Sequence, residues 1–226
     1  MDSLSIRAQR VIKRGIDVAA SAAGLIVLSP VMGATALAVR LSMGKPVLFR
    51  QERPGQDGEP FNILKFRTMH HVNPAKGLVD DASRLTEVGK FLRSTSLDEL
   101  PELINVLRGD MSLVGPRPLR MKYLERYSPR QARRHEVPPG ITGLAQVSGR
   151  NGITWEERFE YDVQYVDNWS LLLDAKILLD TILVVLRREG ISEEGQVTVT
   201  EFTGSSNKGS SDKGAPDKDV SANADS

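Results

Sequence analysis

The sequence of 226 residues contains no cysteine, which excludes disulfide bonds, thiol nucleophiles and thiolate metal sites. It has only three histidines, so a multi-histidine metal centre would need almost all of them. Lysine and arginine number 30 against 29 acidic residues, and this near-neutral balance argues against a nucleic-acid-binding protein driven by bulk charge. GxGxxG and Walker A sequences are also lacking, so dinucleotide-binding and P-loop functions have no support. The chemistry must therefore depend on carboxylates, arginines, lysines and hydroxyls.

One long uncharged segment lies near the N-terminus, over residues 18–39. As a straight helix it would reach about 33 Å, which is enough to cross a bilayer. A secretory signal peptide is the first alternative, but the apolar run is too long for one and no convincing cleavage site follows. A hydrophobic fraction of 40% excludes a polytopic membrane protein. The segment therefore predicts a single membrane element on a mostly soluble chain.

Ser29 and Pro30 interrupt this segment, because proline lacks an N–H and clashes with the carbonyl four residues earlier. Positive charge marks the cytoplasmic side of a membrane segment, and here it flanks both ends. The flanking basic residues are Arg7, Arg10, Lys13 and Arg14 before the segment, and Arg40, Lys45, Arg50 and Arg53 after it. A kinked spanning helix remains an alternative, but the pattern favours a re-entrant helix–break–helix over residues 1–42.

The remaining sequence predicts a mixed α/β catalytic domain over residues 43–202, with a small β-hairpin sheet and several surrounding helices. The predicted elements are strands over 47–51 and 61–67, helices over 90–108 (in two pieces), 121–135, 155–166 and 171–188, and loops over 113–120 and 138–143. The last helix is most simply a core-packing element, with a membrane-interface role as the alternative. Residues 203–226 are poor in apolar side chains, which predicts a disordered polar tail.

Two adjacent carboxylates, Asp98 and Glu99, stand where a helix is predicted to begin. Ser96 and Glu99 have the spacing of a capping box, and Asp98 could itself be an N-cap with Pro101 in the first turn. The functional alternative is a nucleophile and a metal ligand at a helix N-terminus, where a phosphate is also favoured.

Separated basic residues provide candidate phosphate ligands, because guanidinium groups bind phosphate in a bidentate manner. The candidates are Lys65, Arg67, Arg93, Arg117 and Arg150. Arg117 is the best of them by sequence, since Pro116 and Pro118 restrict the loop that carries it.

Ordered motifs from Lys13 to Gly204 closely resemble the bacterial sugar transferases, the small monotopic phosphoglycosyl transferases that begin lipid-linked glycan assembly. The motifs are KRGID at 13–17, SP at 29–30, KFRTM at 65–69, TSLDELPELINVLRGDMSLVGPRPL at 95–119, PGITG at 139–143, SGRN at 148–151 and YVDNWSLLLDAKI at 165–177. The long N-terminal multi-span region of the larger family members has no counterpart here, so a minimal catalytic form is expected.

The resemblance implies transfer of a sugar 1-phosphate from a UDP-sugar to undecaprenyl phosphate, with Mg²⁺ as cofactor and UMP as leaving group. This would be the first membrane step of polysaccharide or glycoconjugate biosynthesis. By motif, Asp98 would be the nucleophile of a covalent phosphosugar intermediate, and Glu99 would assist in binding Mg²⁺ beside it. Arg93, Arg117 and Arg150 would hold phosphate oxygens.

The resemblance also implies a location on the cytoplasmic face of the bacterial inner membrane. Membrane lipids, the UDP-sugar and undecaprenyl phosphate are then the expected partners, nucleic acid is not one, and no motif specifies an oligomeric state. Two interpretations from other classes remain open. One is a membrane-anchored adaptor in which the Asp98 motif is a capped helix and the arginines bind anionic headgroups. The other is a soluble protein whose apolar segment is a buried core helix.

Overall fold

The computed structural model describes residues 3–149, 152–187 and 201–204 of the chain. The helices are α1 (Ser3–Val27), α2 (Ser29–Met43), α3 (Asp81–Arg84), α4 (Glu87–Ser94), α5 (Glu102–Arg108), α6 (Pro129–Ala132), α7 (Leu144–Ser148), α8 (Trp155–Asn168) and α9 (Leu171–Arg187). The strands are β1 (Leu48–Pro54), β2 (Pro60–Phe66), β3 (Ser112–Val114) and β4 (Gly140–Thr142). The mixed α/β class predicted from sequence is confirmed.

The N-terminal helices α1 and α2 meet at a break and are bent by 63° relative to each other. Pro30 lies in the first turn of α2, where its missing N–H costs no intrahelical bond, and the Ser29 hydroxyl donates to the carbonyl of Ile26 at 2.8 Å. No single helix in the described residues has the length and apolarity to cross a membrane, although the bent pair meets both conditions together. The helix–break–helix is thus confirmed, and its re-entry into a membrane stays a prediction.

Polar side chains of α1 fasten the helix pair to the rest of the protein. Lys13 Nζ donates to Asp174 Oδ2 at 2.6 Å, and Arg14 donates to the carbonyls of Val106 and Leu107 at 2.5 and 2.9 Å. Asp17 Oδ1 accepts from the Leu113 N–H at 3.1 Å. The Tyr165 hydroxyl also donates to Asp174, at 2.7 Å. The motifs at 13–17 and 165–177 are therefore two sides of one contact that fixes α1 against the catalytic domain.

Strands β1 and β2 form the predicted antiparallel hairpin, with Leu48 opposite Phe66 and Pro54 opposite Pro60. A second, parallel pair joins β3 to β4, where the sequence predicted only loops. That prediction was wrong because three-residue strands are too short to show a period of two. Gly140 permits the pairing, since a Cβ at that position would lie 2.1 Å from the backbone nitrogen of Gly115.

The helix predicted over 121–135 is also wrong. The chain instead forms a 3₁₀ turn over Met121–Arg126, the four-residue helix α6 and a second 3₁₀ turn over Arg133–Glu136. Ser128 and Pro129 impose this interruption, because Pro129 cannot continue a helix and Ser128 starts a new one through a capping box with Gln131. The charged side chains of this segment are compatible with a continuous helix, so the sequence pattern did not indicate the break.

The C-terminal end of the described chain is anchored by Phe202, which is 2% exposed. Its ring packs in an aromatic cluster with Tyr123 and Phe159, against Tyr127 and Trp155. The predicted end of the catalytic domain at residue 202 therefore coincides with a core side chain. The disorder predicted for the tail lies outside the described residues from 205 onward.

Phe202→Ala should lower the free energy of unfolding by about 3–5 kcal/mol, the usual cost of truncating a buried phenylalanine. Urea unfolding followed by tryptophan fluorescence measures this loss.

A chain that ends at Gly204 should keep the stability and near-normal turnover of the full chain. We expect the polar tail to be dispensable because its composition cannot bury enough apolar surface to order it. A loss of activity beyond about tenfold on that truncation, roughly 1.4 kcal/mol in barrier, would contradict this expectation.

Candidate active site

Four charged side chains from separate elements meet beside Asp98. Lys65 comes from β2, Glu99 from the turn before α5, Glu102 from α5 and Arg117 from the loop after β3. Lys65 Nζ lies 2.6 Å from Glu99 Oε1 and 3.1 Å from Glu102 Oε1. Arg117 contacts the same Glu99 Oε1 through Nη2, while its Nη1 lies 3.5 Å from Oε2. Three of the residues predicted from sequence are thus brought together, and Glu102 joins them.

Asn105 explains how β2 and α5 hold this geometry. The side chain is fully buried, accepts the Leu64 N–H at 3.0 Å and donates to the Asn62 carbonyl at 2.8 Å. These bonds fix β2 against α5 at Asn62 and at Leu64, which directly precedes Lys65 in the strand. Sequence reasoning did not single out Asn105; its signal was a lone amide among the apolar side chains of ELINVLR.

Asp98 and Glu99 do not cap a helix, which corrects both capping interpretations. Ser96 adopts a left-handed conformation at φ 56° and its side chain makes no cap hydrogen bond. The residue at the start of α5 is Pro101, which has no side-chain acceptor. The left-handed turn at Ser96 instead turns the pair inward, so that Asp98 is 8% exposed.

The pKa values of the two neighbouring carboxylates are shifted in opposite directions. Burial, followed by the charge of Glu99, raises the pKa of Asp98 to about 6, although Lys65, Arg117 and Arg93 oppose the shift. Burial also disfavours ionised Glu99, but Arg117 and Lys65 more than offset it and hold the pKa of Glu99 well below its usual range. Glu99 is therefore ionised over the physiological pH range. The same cations stabilise the ionised form of Asp98 too little to offset its burial.

Glu102 is the site residue that sequence reasoning missed. It is 1% exposed, and burial together with the charge of Glu99 raises its pKa to about 7, in spite of Lys65. Its position three residues after Glu99 was the available signal, because that spacing returns to the same side of a helix.

The remaining predicted residues lie in different places. Arg93 donates from Nε to Thr68 Oγ1 at 3.2 Å and its charge acts on Asp98, so it belongs to the site. Arg67 does not join the cluster, since its guanidinium donates to the carbonyls of Met43 and Gly44 at 2.5 and 2.9 Å. It thereby holds the end of α2 against β2. Arg150 lies outside the described residues.

A pocket of about 230 Å³ adjoins the cluster and is lined by Lys65, Glu102 and Arg117. The sequence analysis did not assign the other lining residues to a site. They are three arginines, two aromatic rings, a second carboxylate and three apolar side chains: Arg53, Arg120, Arg158, Tyr123, Trp155, Glu201, Ile63, Pro118 and Leu119. Burial and the charges of Arg117 and Arg120 lower the pKa of Arg53 to about 10. Arg53 Nε is also buried without a hydrogen-bond partner among the described residues. Crowded guanidinium groups of this kind favour a bound polyanion.

Asp98→Asn should stabilise the fold at alkaline pH. The pKa of Asp98 rises from 3.8 to about 6 on folding, so its contribution to stability is present below pH 4 and is lost as pH rises through 6. At about 1.4 kcal/mol per pH unit, the variant should exceed the unmodified protein by up to about 3 kcal/mol at pH 8, with a small difference at pH 4.5. Urea unfolding at both pH values measures the gap. A gap that does not change with pH would contradict the buried charge.

Comparison with known proteins shows similarity over most of the chain. A family model described as bacterial sugar transferase matches residues 8–188. An uncharacterized sugar transferase of Bacillus subtilis, EpsL, is 54% identical over 196 residues, which cover 86% of this chain and 97% of that protein.

Other relatives have names that state an activity, including the following two. The UDP-glucose:undecaprenyl-phosphate glucose-1-phosphate transferase of Escherichia coli is 45% identical over 186 residues, 76% of this chain. The undecaprenyl-phosphate galactose phosphotransferase of Salmonella typhimurium is 40% identical over 208 residues, 84% of this chain. The matched parts span only 40% and 43% of those two proteins.

Proposed function

The chain belongs to the bacterial sugar transferase family, and from that premise we propose that it transfers a sugar 1-phosphate from a UDP-sugar to undecaprenyl phosphate, releasing UMP. The observation that carries the proposal is the pair of buried Asp98 and partly buried Glu99 beside a pocket lined by several arginines. The names of the relatives include both glucose and galactose transfer to undecaprenyl phosphate. They support the general reaction and leave the sugar to be determined.

In the proposed first step, a carboxylate oxygen of Asp98 attacks the phosphorus that carries the sugar. The bond from that phosphorus to the bridging oxygen breaks, and UMP leaves with the electron pair. Because nucleophile and donor are both anionic, cations must offset their repulsion in the transition state. Arg93, Lys65 and Arg117 provide positive charge around Asp98.

In the second step, a phosphate oxygen of the lipid attacks the phosphorus of the aspartyl phosphosugar and the Asp98 carboxylate is released. The product is a sugar joined to the lipid through a diphosphate. Two steps allow a compact site to bind its two anionic substrates in turn, whereas direct transfer would need both in line at once.

Mg²⁺ is the proposed cofactor, and it would offset the charge of the phosphate oxygens. Asp98 and Glu99 are the residues that would hold it. In Glu99, Oε1 accepts from both Lys65 and Arg117, whereas Oε2 has only a longer contact with Arg117 at 3.5 Å and would be the more available oxygen for a metal. Mg²⁺ commonly takes one or two protein carboxylates and completes its shell with substrate phosphate and water, so this donor set fits.

Association with the cytoplasmic face of the inner membrane is part of the proposal. Large apolar side chains are exposed along three helices: Val11, Ile12 and Ile16 of α1, Ile26 and Val27 at the break, Leu37 and Leu41 of α2, and Leu172, Leu179 and Ile182 of α9. One side of α9 packs through Ile177 in the core, so its other face supports the membrane-interface alternative over simple core packing. An acceptor whose polyprenyl chain stays in the bilayer requires an active site close to the membrane surface.

The re-entrant topology predicts that the N-terminus and the catalytic domain lie on one side of the membrane. With no native cysteine, Ser5→Cys provides a single labelling site, which should react only from the cytoplasmic side. Pro30→Leu should straighten the break and move some molecules toward a spanning state that labels from the periplasm. Periplasmic labelling of Ser5→Cys without the Pro30 substitution would rule out re-entry.

A UMP-release assay tests the proposed function. The full chain in detergent or nanodiscs is incubated with Mg²⁺, undecaprenyl phosphate and a panel of UDP-sugars, and at least one sugar should give acceptor-dependent UMP. A membrane adaptor would bind vesicles and release no UMP with any sugar. That interpretation required Asp98 and Glu99 to be helix caps, which they are not.

A further inference from the structure

Glu102 is a carboxylate that the two-step mechanism does not use. It is 1% exposed, it lines the pocket, and its Oε1 lies 3.1 Å from Lys65 Nζ. No hydrogen bond of acceptable geometry reaches that oxygen from any described residue. Lys65 has a closer partner in Glu99, at 2.6 Å. A buried carboxylate that shares its cation with a closer carboxylate is only partly compensated for its lost hydration, so the protein retains Glu102 against a penalty.

The charge of Glu102 is opposite to what phosphate binding alone requires. A pocket that only held a diphosphate would gain from an apolar or basic side chain here, because a carboxylate repels phosphate oxygens. The guanidinium groups of Arg53, Arg117 and Arg120 line the same pocket. If Glu102 contacts the ligand, the favourable contact is with a part that carries hydrogen-bond donors and no negative charge.

We propose that Glu102 accepts a hydrogen bond from a hydroxyl group of the nucleotide-sugar donor and so orients the donor for attack by Asp98. This inference rests on the proposed function and deepens it. A hydroxyl next to a phosphate is available in the ribose and in the transferred sugar. Carboxylates bind ribose hydroxyls in other nucleotide sites, where the acceptor discriminates strongly against analogues that lack the hydroxyl.

The competing explanation is structural, because Glu102 could serve only to hold Lys65 in place. The two roles differ in what they predict for ligands. A residue that acts through Lys65 affects every ligand with a phosphate, including inorganic pyrophosphate. A residue that accepts a hydroxyl affects only ligands that carry this hydroxyl.

The test measures the binding of defined ligands to the full chain in nanodiscs by calorimetry. The ligands are pyrophosphate, UDP, 2′-deoxy-UDP, 3′-deoxy-UDP and UDP-glucose, the last measured with Asp98→Asn added to every protein so that it binds without transferring its phosphosugar. The proteins are the unmodified chain, Glu102→Gln, Glu102→Leu and a control, Glu125→Gln, whose side chain is exposed. Glu102→Gln keeps the size and a weaker acceptor, so it remains informative if the leucine variant does not fold.

We expect Glu102→Leu to weaken binding of UDP or UDP-glucose at least tenfold, Glu102→Gln to weaken it less, and pyrophosphate to change less than threefold. If Glu102 accepts from a ribose hydroxyl, the loss of affinity appears with UDP and disappears with one of the two deoxy analogues. If it accepts from a hydroxyl of the transferred sugar, the loss appears with UDP-glucose and not with UDP. Glu125→Gln should bind all ligands normally.

Two results would overturn the inference: an equal loss for pyrophosphate and the nucleotides, or no loss for any of them. Failure of the proposed function has a different signature. In that case the unmodified chain itself releases no UMP from any UDP-sugar, whereas failure of this inference alone leaves UMP release intact.

Discussion

Asp98→Asn should reduce turnover by at least about a thousandfold, roughly 4 kcal/mol in barrier, while the protein stays folded. The substitution keeps the size of the side chain but removes the anionic nucleophile, and an amide oxygen does not form a stable phosphoryl intermediate. Acceptor-dependent UMP release under saturating Mg²⁺ measures the loss. Because Asp98 makes no cap hydrogen bond, an effect through helix stability is not expected.

The control for this loss is Asp81→Asn, at a half-buried carboxylate in the first turn of α3 that pairs with Arg84, away from the cluster around Asp98. It should release UMP at the unmodified rate. Robust turnover by Asp98→Asn would contradict the mechanism, and so would kinetics that require donor and acceptor to be bound together before UMP leaves.

Glu99→Gln should lower turnover by at least about a hundredfold, near 3 kcal/mol in barrier. Glu99 accepts from Lys65 and Arg117 at once, and the amide would present N–H groups to one of these cations. The loss should appear both in the KM for the UDP-sugar, through the displaced cations, and in the Mg²⁺ concentration needed for half-maximal activity. Steady-state kinetics at several Mg²⁺ concentrations separate the two contributions.

Glu87→Gln is the matched control, since Glu87 is an exposed carboxylate on α4 that pairs with Lys90. Near-normal turnover by Glu99→Gln would show that Glu99 has neither role. A capping role, which also predicts near-normal turnover, is already excluded because no side chain caps this turn.

The local sequence pattern was sufficient to predict those elements whose signals lie within a short stretch of chain. The hairpin of β1 and β2 follows from two alternating runs around a turn, and the split between α4 and α5 follows from Thr95 and Ser96 with Gly109 as the C-cap. Elements that depend on partners far along the chain were missed. β3 and β4 exist because residues near 113 and 141 pair, and nothing in either segment indicates the other.

The same distinction applies to the site. Asp98, Glu99 and Arg117 were identifiable because their own sequence neighbours carry the signal. Arg67 was grouped with them as a phosphate ligand, yet its guanidinium holds carbonyls at the end of α2, a contact across more than twenty residues. Arg53 was assigned to the membrane flank, and only the hairpin and the loop after β3 place it beside Arg117. Spatial convergence of cations is not encoded in spacing along the chain.

The central claim is that Asp98 becomes covalently linked to the phosphosugar, and mass analysis of that residue tests it most directly. The full chain is incubated with Mg²⁺ and an isotopically labelled UDP-sugar that supports turnover, without undecaprenyl phosphate, then denatured and digested. The account predicts one equivalent of UMP per active site and a sugar phosphate on the peptide that contains Asp98, which is absent from Asp98→Asn. An enzyme that turns over with acceptor but yields no burst of UMP and no modified peptide without it would contradict the claim.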